Sequence, residues 1–72
     1  MWQKIKKFFT SWPRKYSIYV YNGDCQLIGE AWCIVSSKSE LKENIDVFFL
    51  ETLRFYDGED KDYCYYLYQE VR

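Results

Sequence analysis

The run KYSIYVYNGDCQLIGEAWCIVS, residues 15–36, constrains the fold more than any other part of the chain. Tyr16, Ile18 and Val20 alternate with Ser17, Tyr19 and Tyr21, the period of two that marks a strand with one buried face. Asn22-Gly23 follows at once, the favoured pair for a two-residue hairpin turn in which both residues take positive φ. That turn predicts Val20 opposite Cys25, Ile18 opposite Leu27 and Tyr16 opposite Gly29. One face then carries Tyr16, Ile18, Val20, Cys25, Leu27, Ala31, Cys33 and Val35. The second strand offers mainly small side chains there, which leaves room for a helix to pack closely.

The helix is expected directly after the hairpin, over residues 38–56. Ser37-Lys-Ser-Glu40 has the form of a capping box, serine hydroxyl and glutamate each satisfying the other's backbone N–H. From Leu41, positions 45, 48, 49, 52, 55 and 56 fall on one side of a helical wheel, with Thr52 tolerated among the apolar residues. DGEDKD makes a polar turn, and residues 62–71, DYCYYLYQEV, are rich in strand formers. Tyr63, Tyr65, Leu67 and Val71 are taken as the inward set of that third strand, because they include Leu67 and Val71.

Residues 1–13 read as a short cationic amphipathic helix ended by Pro13. Trp2, Ile5, Phe8, Phe9 and Trp12 recur at three- and four-residue steps, with Lys4, Lys6 and Lys7 between them. A helix this short needs a surface to lie on. Two surfaces stay open: the second face of the sheet, over Tyr19, Ile28 and Trp32, or an anionic membrane surface. The expected fold is a single α+β domain in the order α-β-β-α-β, with a three-stranded, mainly antiparallel sheet, one long helix packed on it and a short N-terminal helix.

Seventy-two residues leave a thin core. Aromatic residues make up 22% of the chain, and their bulk compensates. The formal charge of −1 conceals an asymmetry: residues 1–15 carry five positive charges and no negative ones, and the remainder balances to −6. Cys25, Cys33 and Cys64, odd in number and without CxxC spacing, argue against a disulfide framework and against zinc. Without a membrane-length apolar run or a recognisable leader, the expected location is cytoplasmic.

Catalysis finds little to work with. The chain has no histidine, no nucleophile elbow and no phosphate-binding glycine loop, so a non-enzyme without cofactor or metal is expected. A sheet face bearing Tyr19, Tyr21, Ile28, Trp32, Ile34, Tyr66 and Tyr68 is suited to stacking unpaired bases, but the −6 body repels a phosphate backbone. Binding to another protein has more in its favour. Val47 and Leu50 lie on the far side of the long helix from Leu41, flanked by Glu43 and Arg54, and are expected to stand exposed. Tyr66 and Tyr68 of the last strand are further candidate contacts, and that strand is a possible edge for pairing with a second copy.

In small size, acidic body and aromatic load, the whole chain resembles the accessory proteins encoded by bacteriophages and other mobile elements. Many of these bind and block a host protein, restriction or CRISPR machinery included. The resemblance implies stoichiometric inhibition or modulation of a host protein and assigns no residue. The acidic helix residues Glu40, Glu43, Asp46 and Glu51 suit either imitation of nucleic-acid phosphates or plain solvation.

Overall fold

The computed structural model describes residues 12–71. Its elements are β1 (Arg14–Tyr21), β2 (Leu27–Val35), α1 (Lys38–Phe55), a 3₁₀ turn (Lys61–Tyr63) and β3 (Tyr65–Val71). The three strands form one antiparallel sheet in the order β2-β1-β3, and α1 packs on one side of it. This is a small α+β domain. The N-terminal amphipathic helix expected over residues 1–13 falls, up to residue 11, outside the described residues.

The hairpin forms, but with a different turn and register. Asn22 accepts the Cys25 N–H on its carbonyl and donates its own N–H to the Gln26 carbonyl, both at 3.0 Å. Cys25 takes the left-handed conformation, φ 63°, while no glycine has positive φ. The connection is therefore the three-residue type, a β-turn followed by one left-handed residue, and not the expected two-residue turn. The Asn22 side chain explains the choice. Its Oδ1 accepts N–H groups from both Asp24 and Gln26 at 2.9 Å, so the asparagine organises the turn through its own amide.

The longer loop and a bulge at Ile28 slide β2 by four residues. Val20 faces Gly29, Ile18 faces Ala31 and Tyr16 faces Cys33, while Tyr21 faces Leu27. An even shift keeps side chains on their faces, so Tyr16, Ile18, Val20 and Val35 remain inward and buried. Cys25 is instead in the loop, and Leu27 points with Tyr21 to the outer face, where it is exposed.

β3 also reverses the expectation. It pairs Tyr66 with Val20, Tyr68 with Ile18 and Glu70 with Tyr16, so this set shares the helix side of the sheet. Tyr65, Leu67 and Val71 face outward with Tyr21, Tyr19 and Lys15. Bulky apolar side chains on both faces, Tyr65, Leu67 and Val71 on one and Tyr66 and Tyr68 on the other, left no alternation to decide between the two sets.

α1 begins with half of the expected capping box. The Glu40 N–H donates to Ser37 Oγ at 3.1 Å, and Glu40 Oε1 accepts from the Ser36 N–H at 3.4 Å, one residue before the expected partner. Its inward residues Leu41 and Ile45 join Tyr16, Ile18 and Val35 in the core, with Trp12, Cys33 and Phe48 packed around them. Phe55, expected inside, stands 79% exposed at the last turn of α1, with the Arg54 guanidinium 5.9 Å from its ring.

A polar latch closes the opposite end. The Tyr56 hydroxyl donates to Asp60 Oδ1 at 2.6 Å, the Gly23 N–H donates to Asp60 Oδ2 at 2.8 Å, and Asn22 Nδ2 donates to the Tyr56 oxygen at 3.3 Å. The hairpin tip is thus tied to the loop that follows α1. The Tyr56 hydroxyl, helped by the Gly23 N–H and opposed by desolvation, lowers the Asp60 carboxyl below its ordinary value. The same bond to Asp60 raises the Tyr56 hydroxyl, against a smaller lowering by Asn22.

A depressed carboxyl stabilises the fold above its unfolded value and loses that effect as pH falls through the folded one. A raised phenol stabilises below its unfolded value and loses the effect as pH rises through the folded one. The urea midpoint of Tyr56→Phe should therefore lie below that of the unsubstituted protein by a constant margin from about pH 5 to about pH 9. The margin should shrink below about pH 4. A margin that persists unchanged to about pH 2 would show that the latch owes nothing to the carboxylate.

Candidate functional site

α1 is amphipathic with an exception. Leu41, Ile45, Phe48 and Thr52 face the sheet, whereas Glu43, Val47, Leu50 and Arg54, at steps of four, three and four, line the opposite side. Val47 is 56% and Leu50 65% exposed, and no described residue covers them. Among the described residues neither packs into the core, and their apolar surface is left open.

The rim of this stripe is charged and ordered. Arg54 Nη1 lies 3.9 Å from Glu51 Oε1, one turn back, and Lys42 donates to Asp46 Oδ2 at 3.3 Å. Exposed pairs of this kind contribute little to stability, on the order of 0.3–0.5 kcal/mol. Glu43 and Glu51 give the stripe an acidic border, with Arg54 as its basic corner.

The last-strand residues Tyr66 and Tyr68 are elsewhere. They sit on the helix side of β3 and border a groove of about 360 Å³ with Tyr16, Lys38, Leu41 and Ile45. The groove exists because α1 lies mainly over β2 and β1, so that among the described residues the inward face of β3 is only partly covered. Phe49 reaches Tyr66 edge-on, with 5.4 Å between ring centroids, and Tyr66 and Tyr68 remain 38% and 52% exposed. The structure thus separates the expected contacts into two surfaces, the outer stripe of α1 and the β3 groove.

The outer sheet face is a third apolar region. It shows Tyr19, Tyr21, Trp32 and Ile34 as expected, while Ile28, Tyr66 and Tyr68 lie on the helix side. Leu27, Tyr65 and Leu67 take part in their place, and Tyr21 stacks on Tyr65 at 5.4 Å. Lys15 Nζ sits 4.5 Å from the centre of the Trp32 ring, so a cation already occupies one face of that indole. Sequence reasoning missed Leu27 and Tyr65, since the bulge and the strand facing decide them.

Of the N-terminal docking residues, Trp2, Ile5, Phe8 and Phe9 lie outside the described residues. Trp12 is half-buried against the core, and the Arg14 guanidinium lies 4.6 Å from its ring centre. Arg14 also reaches toward Glu70 at 3.9 Å.

Burial, and secondarily the charge of Glu40, raise the Cys33 thiol above its ordinary value, and burial does the same to Cys64. Both are poor thiolates for that reason. Cys25 is exposed, and its thiol is the chief cause that raises the Tyr65 hydroxyl above its ordinary value. Among the described residues no group of three histidine, cysteine or carboxylate side chains converges to hold a metal ion, and no helix is long and apolar enough to cross a membrane. Comparison with protein-family models, with curated proteins and with solved structures gives no match.

Proposed function

We propose that this chain is a non-catalytic binding module that covers a site on another protein in stoichiometric contact, through the outer stripe of α1. One observation carries the reading: Val47 and Leu50 stand side by side in water, on the face away from the core, inside a border of Glu43, Glu51 and Arg54. Burying two such side chains against a partner contributes about 1.5–3 kcal/mol each. The acidic border adds orientation and selects a partner whose apolar spot is edged with lysine or arginine. Binding and blocking a host protein is also what many of the mobile-element accessory proteins do that the chain resembles in size and composition.

The test compares capture by three forms of the full chain carrying the same C-terminal tag. Val47→Ser together with Leu50→Ser should lower recovery of the dominant partner at least tenfold, the loss expected when about 1.4 kcal/mol or more of binding is removed. Its circular dichroism and urea midpoint should stay close to those of the unsubstituted protein, because both positions are exposed. Trp32→Ser, on the outer sheet face, should capture as the unsubstituted protein does. Equal recovery with the α1 double variant would overturn the assignment, and loss confined to Trp32→Ser would move the contact to the sheet.

A further inference from the structure

An edge strand normally carries some protection against pairing with another chain: a lysine, a proline, a bulge, or shortness. β2 has such devices, with the bulge at Ile28 and Glu30 beside Gly29. β3 has none of them. It runs seven residues, YYLYQEV, in unbroken register with β1 from Tyr65 opposite Tyr21 to Val71 opposite Lys15. Its one charge, Glu70, lies near its end and beside Arg14. Both its faces are apolar, Tyr65, Leu67 and Val71 outward and Tyr66 and Tyr68 inward, which is the pattern of an interior strand. Yet among the described residues β3 is the last strand of the sheet, and α1 covers its inward face only in part, through Phe49 against Tyr66, leaving Tyr66 38% and Tyr68 52% exposed.

We propose that two copies of this chain pair antiparallel through β3, making one continuous six-stranded sheet with both α1 helices on the same side. The sequence of β3 is complementary to itself in this arrangement. With Tyr68 opposite Tyr68 of the second copy, all seven residues overlap: Tyr66 meets Glu70, Leu67 meets Gln69 and Tyr65 meets Val71. The only charged residue thus faces a tyrosine, and no like charges oppose one another. The grooves beside the two helices merge, and the four inward tyrosines fill the space between them. A polar or acidic partner strand would find no cation along β3 to pair with, whereas a second YYLYQEV leaves neither face mismatched.

The contact is small. One strand's edge with Tyr65, Tyr66, Leu67, Tyr68 and Val71 removes on the order of 500 Å² per copy from water, below the roughly 800 Å² of a standard interface. Association in the micromolar range is therefore expected. The β3 edge is separate from Val47 and Leu50, so this inference and the α1 reading stand or fall independently.

Sedimentation equilibrium of the full chain across micromolar to millimolar concentration tests it. The expected result is a reversible monomer–dimer equilibrium. Leu67→Lys, which places a gatekeeper charge on the exposed side of β3, should raise the dissociation constant at least tenfold. Gln69→Lys, a polar-for-polar change, should act in the same direction and serves if Leu67→Lys does not fold. Trp32→Lys on β2 should leave the dimer intact, as should the Val47 and Leu50 serine variant. A monomer throughout the range would overturn the proposal. So would a dimer abolished by Trp32→Lys but untouched by both β3 lysines, since that pattern belongs to stacking through the outer sheet face.

Discussion

Ile18→Ala should leave this protein largely unfolded at 25 °C, or within a kcal/mol of it. Ile18 is 2% exposed at the middle of the central strand, with Ala31 opposite on one side and Tyr68 on the other. Tyr16, Val35, Leu41 and Ile45 complete the cluster around it. Truncating a buried isoleucine to alanine costs about 2–5 kcal/mol, the upper part of that range applying where the site does not collapse. Here collapse is resisted from both sides, because β1 is held in the sheet by two neighbours and α1 is anchored through Leu41 and Ile45. Chains of this size seldom hold more than about 3–5 kcal/mol in total, so one side chain carries most of the margin. Urea titration followed by circular dichroism reads the effect directly. Ile34→Ala is the control: the same chemical change on β2, at an exposed position, should move the midpoint by less than about 0.5 kcal/mol in free energy. Similar losses at the two positions would mean that the core is not where the burial places it.

How much of this was legible in the residues follows from what each signal measures. The alternation of Tyr16, Ile18 and Val20 reports burial on one face, and burial decides strand direction, so the inward set of β1 was readable. The register was not. Asn22-Gly23 names a preferred turn, but Asn22 also has a side-chain amide able to hold two N–H groups, and that local competition added residues to the loop. From Gly29 onward the error was even in number, which is why Ala31, Cys33 and Val35 kept their face while their partners changed; ahead of the bulge it was odd, and Leu27 turned outward.

The last strand shows the opposite case. YYLYQEV carries bulk on both faces, so nothing in its pattern says which side the helix will cover. The placement of α1 over β2 and β1 settled the question, and a tertiary choice of that kind has no local signature. Phe55 failed for a related reason: helical periodicity continues to the last turn of α1, where Phe55 stands exposed. The exposure of Val47 and Leu50 was legible because they break an otherwise good amphipathic pattern.

Gly29 carries the second large effect. A Cβ at this position would lie 2.9 Å from Thr52 Cγ2, 3.1 Å from Thr52 Oγ1 and 3.4 Å from the tip of the Phe48 ring. Thr52 is not free to turn away, since its hydroxyl donates to the Phe48 carbonyl at 2.8 Å. Glycine is therefore what lets α1 approach β2 this closely. Gly29→Ala reduces the freedom of the unfolded chain, a stabilising effect of about 0.4–1 kcal/mol, but overpacking here costs about 1–3 kcal/mol. The second effect wins, and the variant should be less stable. Thr52→Ala removes both crowding atoms. The double variant should then recover much of the loss, with a coupling energy of about 0.5–3 kcal/mol between the two sites. Strict additivity in urea melts of the four proteins would show that the helix yields to the added methyl without strain. Coupling would fix the distance between α1 and the sheet as a property of this one glycine, and with it the lateral position that leaves β3 only partly covered.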